Sequence, residues 1–461
     1  MITRTLLYIT ASLLACSLFA KTPNLVIILT DDQGYNDVGF NGCTDIPTPH
    51  LDQLAADGVK FTDGYVSFPV CGPSRAGLLT GRYQDRFGFT TNPSIDPTNP
   101  HSGLPLEEET IAQVLHKVGY KSAVIGKWHM GTHPNFHPHN RGFDHFFGFL
   151  AGGLNYFPEN LTLNDLSEVE RIWHWYSMKV ERDGEMIDID DYLTDELTDA
   201  ATAFIDEQAA AKNPFFLYLA YNAPHAPLQA TEKYLSRFPN IEDKDRRTYA
   251  AMVSCVDDGV GRVMNTLRRN GIEEDTLVVF LSDNGGPLKK NSSDNGDLRG
   301  GKSDLFEGGI RVPFAMQWKG TIPAGQTYSE PVISLDILGT IAALTEVEIA
   351  PDRPLDGVNL IPYLTGEKSG APHDQLFWRK WEQQGMAMRT GDTKLVANTQ
   401  RAQKNHAVYD LSNDISETTN LRWQSPEKTQ QLIDSWEAWN AQLKDRVFPT
   451  LMEDKWWINS H

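Results

Sequence analysis

The chain has 461 residues, of which 40% are hydrophobic and 22% charged, so its composition is globular and its length fits one large domain plus a smaller one. Its formal net charge of −20 argues against nucleic acid as a partner, because phosphate binding requires a basic surface. The same charge means that a site for an anionic substrate must gather its own cations locally.

Residues 1–20 have the layout of a secretory signal. A positively charged start precedes an almost uncharged run from Thr5 to Ala20. This run is shorter than the roughly 20 apolar residues that cross a membrane, and no other segment of the sequence is both long and apolar enough. We therefore expect a secreted or periplasmic protein with no transmembrane segment in the mature chain. Lipid attachment at Cys16 is the alternative, although Leu14 fits a lipidation site poorly.

Cysteine is sparse, and the mature chain would keep only Cys43, Cys71 and Cys255. An odd number of cysteines in an oxidising compartment leaves at least one thiol unpaired. Such a thiol is a liability unless it is buried or has a chemical role. Cys43 and Cys255 could form a disulfide, and we expect one of the three cysteines to have a chemical role.

Four short apolar runs end abruptly in polar residues, which is typical of strands in a buried parallel sheet. Helical patterns lie between them, and one of these follows the expected N-cap Thr48. Alternating strands and helices predict an α/β fold with a central, mostly parallel sheet flanked by helices. The predicted strands are 24–30, 121–125, 215–220 and 277–281, and the predicted helices are 49–56 and 110–118.

After about Glu346 the pattern changes to shorter runs that are rich in tryptophan. We therefore expect a catalytic domain at 21–345 and a smaller α+β domain at 346–461. Because tryptophan is more often found in a core than on a binding surface, most of these side chains are expected to pack inside. They are Trp378, Trp381, Trp423, Trp436, Trp439, Trp456 and Trp457.

The polar residues that follow the four runs are suited to ion binding and proton transfer. In open α/β sheets, ligands bind beyond the carboxyl ends of the parallel strands. Polar residues end most strands, but that rule alone does not explain a mixture of oxygen ligands and cations. We predict one polar crevice that is built from four distant segments and contains Asp31, Asp32, Lys127, His129, His225, Asp283 and Asn284.

The stretch around Cys71 is the most informative part of the sequence. Pro73 suits the first turn of a helix that Ser74–Tyr83 can continue, so Cys71 would lie at the helix start. Backbone N–H groups at a helix start favour an anion, and Arg75 lies one turn further along. An isolated cysteine is normally a small buried hydrophobe, but these neighbours favour a chemical role.

Cys71-Gly72-Pro73-Ser74-Arg75 resembles the C-x-P-S-R signature of the type I sulfatases. The segment 119–129 is similar to the second signature of that family, and the likeness extends from Asn24 to about Pro313. The resemblance implies an alkaline-phosphatase-like fold and the hydrolysis of sulfate esters. It also implies a maturation enzyme that oxidises Cys71 to formylglycine.

The resemblance further implies a metal site. Asp31, Asp32, Asp283 and Asn284 match the calcium ligands of the family, and they offer only oxygen atoms, which a hard cation prefers. Converted Cys71 is the remaining expected ligand. Calcium is therefore the expected cofactor, with magnesium as a weaker candidate.

In the mechanism that the family implies, hydrated formylglycine attacks sulfur and forms a covalent sulfate ester on the enzyme. His225 would protonate the departing sugar oxygen, and His129 would take the proton whose removal releases sulfate. Arg75, Lys127 and Lys302 would hold the sulfate oxygens. Outside these motifs, each of these side chains would be interpreted as an ordinary core or surface residue.

A histidine-rich loop follows the second signature. The spacing of its histidines resembles a zinc-binding helix, but the glycine and prolines between them exclude one. We instead expect His133 and His139, with Asn155 and Tyr156, to contact sugar. This loop and the tryptophan-rich region favour a sulfated carbohydrate, such as a carrageenan-type galactan, over a small aryl ester.

Three other functions compete with this interpretation. A phosphatase or phosphonate hydrolase of the same superfamily often binds two metals through additional His and Asp ligands, which the strand ends do not supply. A non-catalytic binder of sulfated glycans would keep Cys71 as a thiol. A thiol hydrolase would need neither the proline nor the arginine of the signature.

Overall fold

The computed structural model describes residues 22–171, 173–380, 385–397 and 406–453. The expected signal at 1–20 and the alternative lipid site at Cys16 lie outside the described residues, as do Trp381, Trp456 and Trp457. Within the described ranges, no helix has the length and apolar character needed to span a membrane.

Most strands join one large mixed sheet. Among the described residues, ten strands form this sheet in the order β11-β2-β10-β9-β1-β8-β4-β5-β6-β7. The central strands β9, β1, β8, β4 and β5 are parallel, while β10 and β6 pair antiparallel on either side of them. The strands are β1 (Asn24–Thr30), β2 (Val59–Phe61), β3 (Gly64–Tyr65), β4 (Lys121–Lys127), β5 (His145–Phe149), β6 (Val180–Arg182), β7 (Glu185–Ile187), β8 (Phe215–Ala220), β9 (Thr276–Ser282), β10 (Phe314–Gln317), β11 (Gln326–Tyr328), β12 (Val332–Ile333), β13 (Leu376–Lys380), β14 (Gly385–Thr390), β15 (Thr393–Ala397) and β16 (Ala407–Asp410).

Helices cover both faces of the large sheet. They are α1 (Pro49–Ala56), α2 (Cys71–Thr80), α3 (Ile111–His116), α4 (Leu193–Ala211), α5 (Glu232–Leu235), α6 (Lys244–Arg269), α7 (Glu307–Ile310), α8 (Asp336–Thr345), α9 (Ile361–Leu364) and α10 (Pro426–Asn440). Val26 and Ile28 of β1 pack with α1, α4 and α6 on one face, and Leu25, Ile27 and Leu29 pack with α2, α3 and α8 on the other. Burial on both faces explains why the strand sequence is continuously apolar, and the predicted α/β fold is confirmed.

The predicted elements lie close to their observed bounds. Strands β1 and β8 match the prediction, β4 continues to Lys127, and β9 is one residue longer at each end. Thr48 precedes α1 as expected, but its hydroxyl does not cap the helix backbone. It accepts the Gly39 N–H at 2.7 Å and donates to Asp52 Oδ1 at 3.1 Å. Thr48 therefore ties the helix start to the preceding loop.

A second, antiparallel sheet contains β13, β14, β15 and β16 in that order. Trp378 shares a buried core with Trp436 and Trp439 of α10, as expected for packing side chains, whereas Trp423 is 74% exposed. The segment before this sheet packs elsewhere, because Ile361 of α9 belongs to a core of the large sheet. The boundary expected at 345/346 falls at the end of α8.

The three described cysteines are free thiols. Cys43 Sγ lies 3.2 Å from Asp45 Oδ1, and Cys255 is buried within α6. The possible Cys43–Cys255 disulfide is therefore not present. Cys71 is the thiol whose surroundings are polar and charged, as described below.

Candidate functional site

Polar side chains gather where the parallel strands end. Asp31 and Asp32 follow β1, Lys127 ends β4, and Asp283 and Asn284 follow β9. Each of the five is at most 3% exposed. They meet because β1 pairs directly with both β8 and β9, and β8 pairs with β4. The structure thus brings together segments that lie up to about 250 residues apart.

Cys71 is the first residue of α2, and every residue of that helix is buried. The Gly72 N–H donates to Asn92 Oδ1 at 3.0 Å, and the same oxygen lies 3.8 Å from Cys71 Sγ. Although burial opposes ionisation, Lys127 and Lys302 lower the pKa of the Cys71 thiol below its ordinary value. Together with the helix start, these cations make position 71 favourable for negative charge.

Three cations pair with the three carboxylates of this cluster. Although burial opposes ionisation, Lys127 holds the pKa of Asp31 well below its usual range. Burial and the neighbouring Asp31 raise the pKa of Asp283. Because the charges are matched in pairs, the cluster can be buried at acceptable cost. The pairs are Arg75–Asp283 (Nη2 to Oδ2, 2.8 Å), Lys127–Asp31 (Nζ to Oδ2, 2.5 Å) and Lys302–Asp32 (Nζ to Oδ1, 2.6 Å).

Two buried oxygen atoms of this cluster, Asp31 Oδ1 and Asn284 Oδ1, have no hydrogen-bond partner among the described residues. Asn284 uses its Nδ2 to donate to Asp32 Oδ1 at 2.7 Å, so its amide oxygen remains available to a ligand. An unpaired buried oxygen costs about 1–3 kcal/mol, and a hard cation supplies the missing partner. Ligand atoms of Asp31, Cys71 and Asp283 lie within 4.8 Å of one another. These residues fit a calcium ion.

The surroundings of His129 favour the neutral form of its imidazole ring. Its burial and the Lys127 ammonium lower the pKa of the imidazole well below its ordinary value, so the ring can accept a proton near neutral pH. Its backbone is left-handed, with φ of 59°. A Cβ atom at Gly152 would lie only 2.7 Å from His129 Nε2, so the close approach of that loop requires glycine.

His225 has different surroundings. Its Nδ1 lies 2.5 Å from the Ala226 carbonyl oxygen, which can only accept, so Nδ1 carries a proton. Its Nε2 lies 3.5 Å from Asp32 Oδ2. A proton on Nε2 would therefore be held between the ring and that carboxylate. This geometry suits a side chain that delivers a proton from Nε2.

The cluster opens into a cavity of about 400 Å³. The predicted residues Asp32, Cys71, His129, His225 and Lys302 line it, whereas Arg75 and Lys127 are fully buried and do not. Sequence reasoning missed several other lining residues, because loops place them and no motif marks them. The one available signal was the cluster of aromatic residues at 173–176. The missed lining residues include Asn92, Trp173, Trp175, Tyr176, Lys290 and Asn291.

The histidine-rich loop does not line this cavity. It forms two short 3-10 turns, Pro134–Phe136 and Pro138–Arg141, so the exclusion of a zinc-binding helix is confirmed. His133 Nδ1 accepts the Asn135 N–H at 3.1 Å, and His139 Nε2 lies 3.0 Å from Asp183 Oδ1. Both side chains therefore stabilise local structure rather than face the catalytic candidates.

Asn155 and Tyr156, the other predicted sugar contacts, also lie outside the cavity lining. Asn155 Nδ2 lies 3.4 Å from the Asn160 carbonyl oxygen. The prediction for Tyr156 is wrong, because its ring is fully buried. Its hydroxyl lies 2.7 Å from the carbonyl oxygens of both Asn222 and His225. Tyr156 thus supports the loop that carries His225.

Comparisons with known proteins agree with this geometry. Residues 23–347 match the family model Sulfatase, and residues 301–444 match N-sulphoglucosamine sulphohydrolase, C-terminal. N-acetylgalactosamine-6-sulfatase of Mus musculus is 36% identical over 367 residues, which cover 76% of this chain and 68% of that protein. The uncharacterized sulfatase YdeN of Escherichia coli (strain K12) is 32% identical over 407 residues, which cover 77% of this chain and 68% of that protein.

A solved structure is similar over nearly the whole chain. It is the crystal structure of Ps i-CgsB in complex with k-i-k-neocarrahexaose. The two share 37% sequence identity and a TM-score of 0.86, with 95% of this chain and 96% of that chain covered. The similarity therefore includes both sheets.

Proposed function

The chain belongs to the sulfatase family, and from this premise we propose that it removes sulfate from a carbohydrate, with a carrageenan-type galactan as its substrate. Sulfate ester hydrolysis follows from the family itself. The carbohydrate is supported by the neighbour that was crystallised with neocarrahexaose. The observation that carries the proposal is the position of Cys71 beside Asn92 at the start of α2, where Lys127 and Lys302 lower the pKa of its thiol and a cavity of about 400 Å³ opens.

We further propose that Cys71 acts as formylglycine, made by a maturation enzyme, and that calcium is the metal. Asp31, Asp32, Asp283 and Asn284 would hold the ion together with position 71, as their buried oxygens and short mutual distances support. When present, these two groups supply an oxygen nucleophile and a positive charge next to the sulfate.

The remaining chemistry belongs to side chains of the chain. Lys302 lines the cavity and would contact the sulfate oxygens directly, whereas buried Arg75 and Lys127 would set the charge around position 71. His225 would deliver a proton from Nε2 to the departing sugar oxygen, because its Nδ1 is already bonded to a carbonyl. His129, held neutral, would accept the proton that is removed when sulfate leaves.

The first test is sulfate release from κ- and ι-carrageenan oligosaccharides, measured by ion chromatography. We expect the wild type to release sulfate and Cys71→Ala to abolish it, while the matched control Cys43→Ala remains active. The mass of the peptide spanning Cys71 should decrease by the difference between a thiol and an aldehyde. Full activity of Cys71→Ala, or a fully retained thiol in active enzyme, would refute the nucleophile.

The same assays separate the competing functions. A phosphatase or phosphonate hydrolase would prefer phosphate or phosphonate esters over matched sulfate esters. A non-catalytic binder would bind the oligosaccharide and release no sulfate. A thiol hydrolase would work with unconverted Cys71. We expect none of these three results.

The metal is tested by thermal unfolding with and without calcium. A ligand at 100 times its Kd stabilises a fold by about 2.7 kcal/mol, so calcium should raise the Tm of the wild type. We expect Asn284→Ala to weaken this rise, because it removes an unpaired buried oxygen, and the exposed Asn135→Ala to leave it intact. An equal calcium response in Asn284→Ala would remove that residue from the proposed ligands.

A further inference from the structure

Trp173 leaves much of its side chain in solvent at the cavity that contains Cys71 and His225. It is 53% exposed, and it lines the cavity itself. Exposure of a large indole forgoes the free energy that burial would give. A side chain of this kind beside a catalytic pocket is most simply explained by a ligand that covers it.

The ring of Trp173 is held in place. Its centroid lies 4.9 Å from that of Trp175 and 5.8 Å from that of Tyr176. Trp175 is in turn buried in a small core with Ile95 and Val169. The backbone of Trp173 is left-handed, with φ of 65° and ψ of −1°, which a bulky residue rarely adopts. Packing beneath the ring fixes this conformation, so the exposed face is ready before any ligand binds.

Lys290 lines the same cavity from the turn after β9. Its side chain is exposed and has no ion-pair or hydrogen-bond partner among the described residues. Lys302, by contrast, is already paired with Asp32. In a chain with a net charge of −20, an unpaired ammonium at the cavity provides a local attraction for a second anionic group.

We propose that Trp173 and Lys290 form a subsite for the sugar next to the one that loses its sulfate; this inference rests on the function proposed above. The indole stacks on the C–H face of a pyranose ring, an apolar surface with polar groups around its edge. The ammonium of Lys290 pairs with a sulfate group that this neighbouring sugar keeps. The preferred substrate is therefore an oligosaccharide that carries sulfate on successive units, rather than a single sulfated sugar.

The kinetic test uses κ-ι-κ-neocarrahexaose and the mature enzyme. We expect Trp173→Ala to raise KM about tenfold, the loss of one aromatic contact, with a smaller change in kcat. Trp173→Phe keeps an aromatic ring and should restore most of the lost affinity. That result would show that the effect of Trp173→Ala is not a folding defect. Trp423→Ala removes an exposed tryptophan outside the cavity and serves as the matched control.

The lysine is tested in the same way. We expect Lys290→Gln to raise KM several-fold and to make KM less sensitive to ionic strength, because a charge-charge contact is lost. Lys290→Arg should retain both the affinity and the salt dependence. Lys289→Gln, at the adjacent exposed position outside the cavity lining, is the control and should behave as the wild type.

The two proposals fail in different ways. Absence of sulfate release from neocarrahexaose by the wild type overturns the proposed substrate. The subsite is then tested separately, by calorimetric titration of the hexasaccharide into Cys71→Ala, which has no side chain that can be converted to the nucleophile. The subsite proposal is overturned if the hexasaccharide binds equally well whether position 173 is Trp or Ala. It is also overturned if the hexasaccharide does not bind the protein that has Trp173. A tenfold loss of affinity on removing Trp173 supports it.

Discussion

At the level of single residues, the two histidines of the cavity differ in what surrounds each ring. His129 is buried beside Lys127, which disfavours a second proton. His225 lies 2.5 Å from the Ala226 carbonyl oxygen through Nδ1 and 3.5 Å from Asp32 Oδ2 through Nε2. These different surroundings are the basis for the proposed roles of His129 as a base and His225 as an acid.

Gly152 offers a direct test of how closely His129 must be placed. A methyl group at position 152 would lie 2.7 Å from His129 Nε2 and would push the ring aside. We expect Gly152→Ala to reduce kcat by about tenfold to a hundredfold, because small misplacements of a catalytic group have effects of that size. Thermal unfolding serves as the control and should change little. An unchanged kcat would show that the position of His129 is not critical.

The sequence predicted the charged residues of the site but not the other residues that line the cavity. Asp31, Lys127, His225 and Asp283 follow strands whose apolar runs are visible in sequence, and parallel strands must end at one edge. Trp173 could not be assigned in this way, because its position depends on a long loop and on packing against Ile95 and its neighbours. For the same reason, Tyr156 was wrongly expected to contact sugar when tertiary structure buries it.

At the level of elements, the loop that carries Lys302 is held by the segment before α2 and by β13 of the smaller sheet. The Ser303 N–H donates to the Pro69 carbonyl at 2.8 Å, next to α2. The Ser303 carbonyl accepts from Lys380 Nζ of β13 at 2.5 Å. Ser303 has φ of 77°, so its backbone is strained and depends on these contacts. The smaller sheet therefore helps to place a side chain that lines the cavity.

Lys380 is accordingly a positioning residue. We expect Lys380→Met to lower kcat/KM about tenfold, because the loop of Lys302 loses its anchor on β13. Lys380→Arg keeps a hydrogen-bond donor and should be more active than Lys380→Met. If Lys380 only packed against its neighbours, Lys380→Met should be the more active of the two variants. Lys428→Met, at an exposed position of α10, is the control. Wild-type kinetics in Lys380→Met would contradict the role.

His373 connects the segment after α9 to the start of α8. Its Nε2 lies 2.7 Å from Asp336 Oδ1, and Asp336 also accepts the N–H groups of Ile333 and Val358. Although burial opposes protonation, Asp336 raises the pKa of His373 above its ordinary value of 6.5. The folded chain therefore binds this proton more tightly than the unfolded chain does.

The pH dependence of this contact follows from that sign. Its stabilisation is complete below the unfolded-state pKa and is lost as the pH rises through the raised folded-state pKa. We expect His373→Ala to cost about 2 kcal/mol at pH 5.5 and clearly less at pH 9, as measured by chemical denaturation. An equal cost at both values would mean that the imidazolium is not the stabilising form.

At the level of the whole molecule, a buried ionic network joins β15 of the four-stranded sheet to α7 and β3. Lys394 of β15 lies 2.8 Å from Glu307 and 2.9 Å from Glu417, and all three side chains are fully buried. Although burial opposes ionisation, Lys394 holds the pKa of Glu307 below its ordinary value. Glu307 also accepts a hydrogen bond from Tyr65 at 2.6 Å, so the network reaches β3. The four-stranded sheet should therefore unfold together with α7 and β3.

Removal of the central cation tests this coupling. Lys394→Met would leave Glu417 buried without its cation and Glu307 with Arg311 alone as its ion-pair partner among the described residues, so we expect it to lower the free energy of unfolding by about 3–5 kcal/mol. The exposed Lys428→Met again serves as the control. Denaturation followed by both tryptophan fluorescence and circular dichroism should show one transition in the wild type. A wild-type stability in Lys394→Met would show that the network does not hold β15, α7 and β3 together.

The fold as a whole was predictable as far as its local patterns were strong. Continuous apolar runs identified β1 and β8, and the alternation with helices identified the α/β class. The antiparallel strand β10 and the network around Lys394 were not predicted, because both depend on partners that are distant in sequence. Local sequence carries no record of such pairings.

The burial of Cys71 bears on whether its proposed oxidation comes before or after folding. In the folded chain this side chain is 2% exposed, and the helix that begins with it is enclosed on all sides. Cys71 lines the cavity of about 400 Å³, where this small exposed fraction lies. The maturation enzyme proposed above would therefore need to reach Cys71 before α2 packs into the fold.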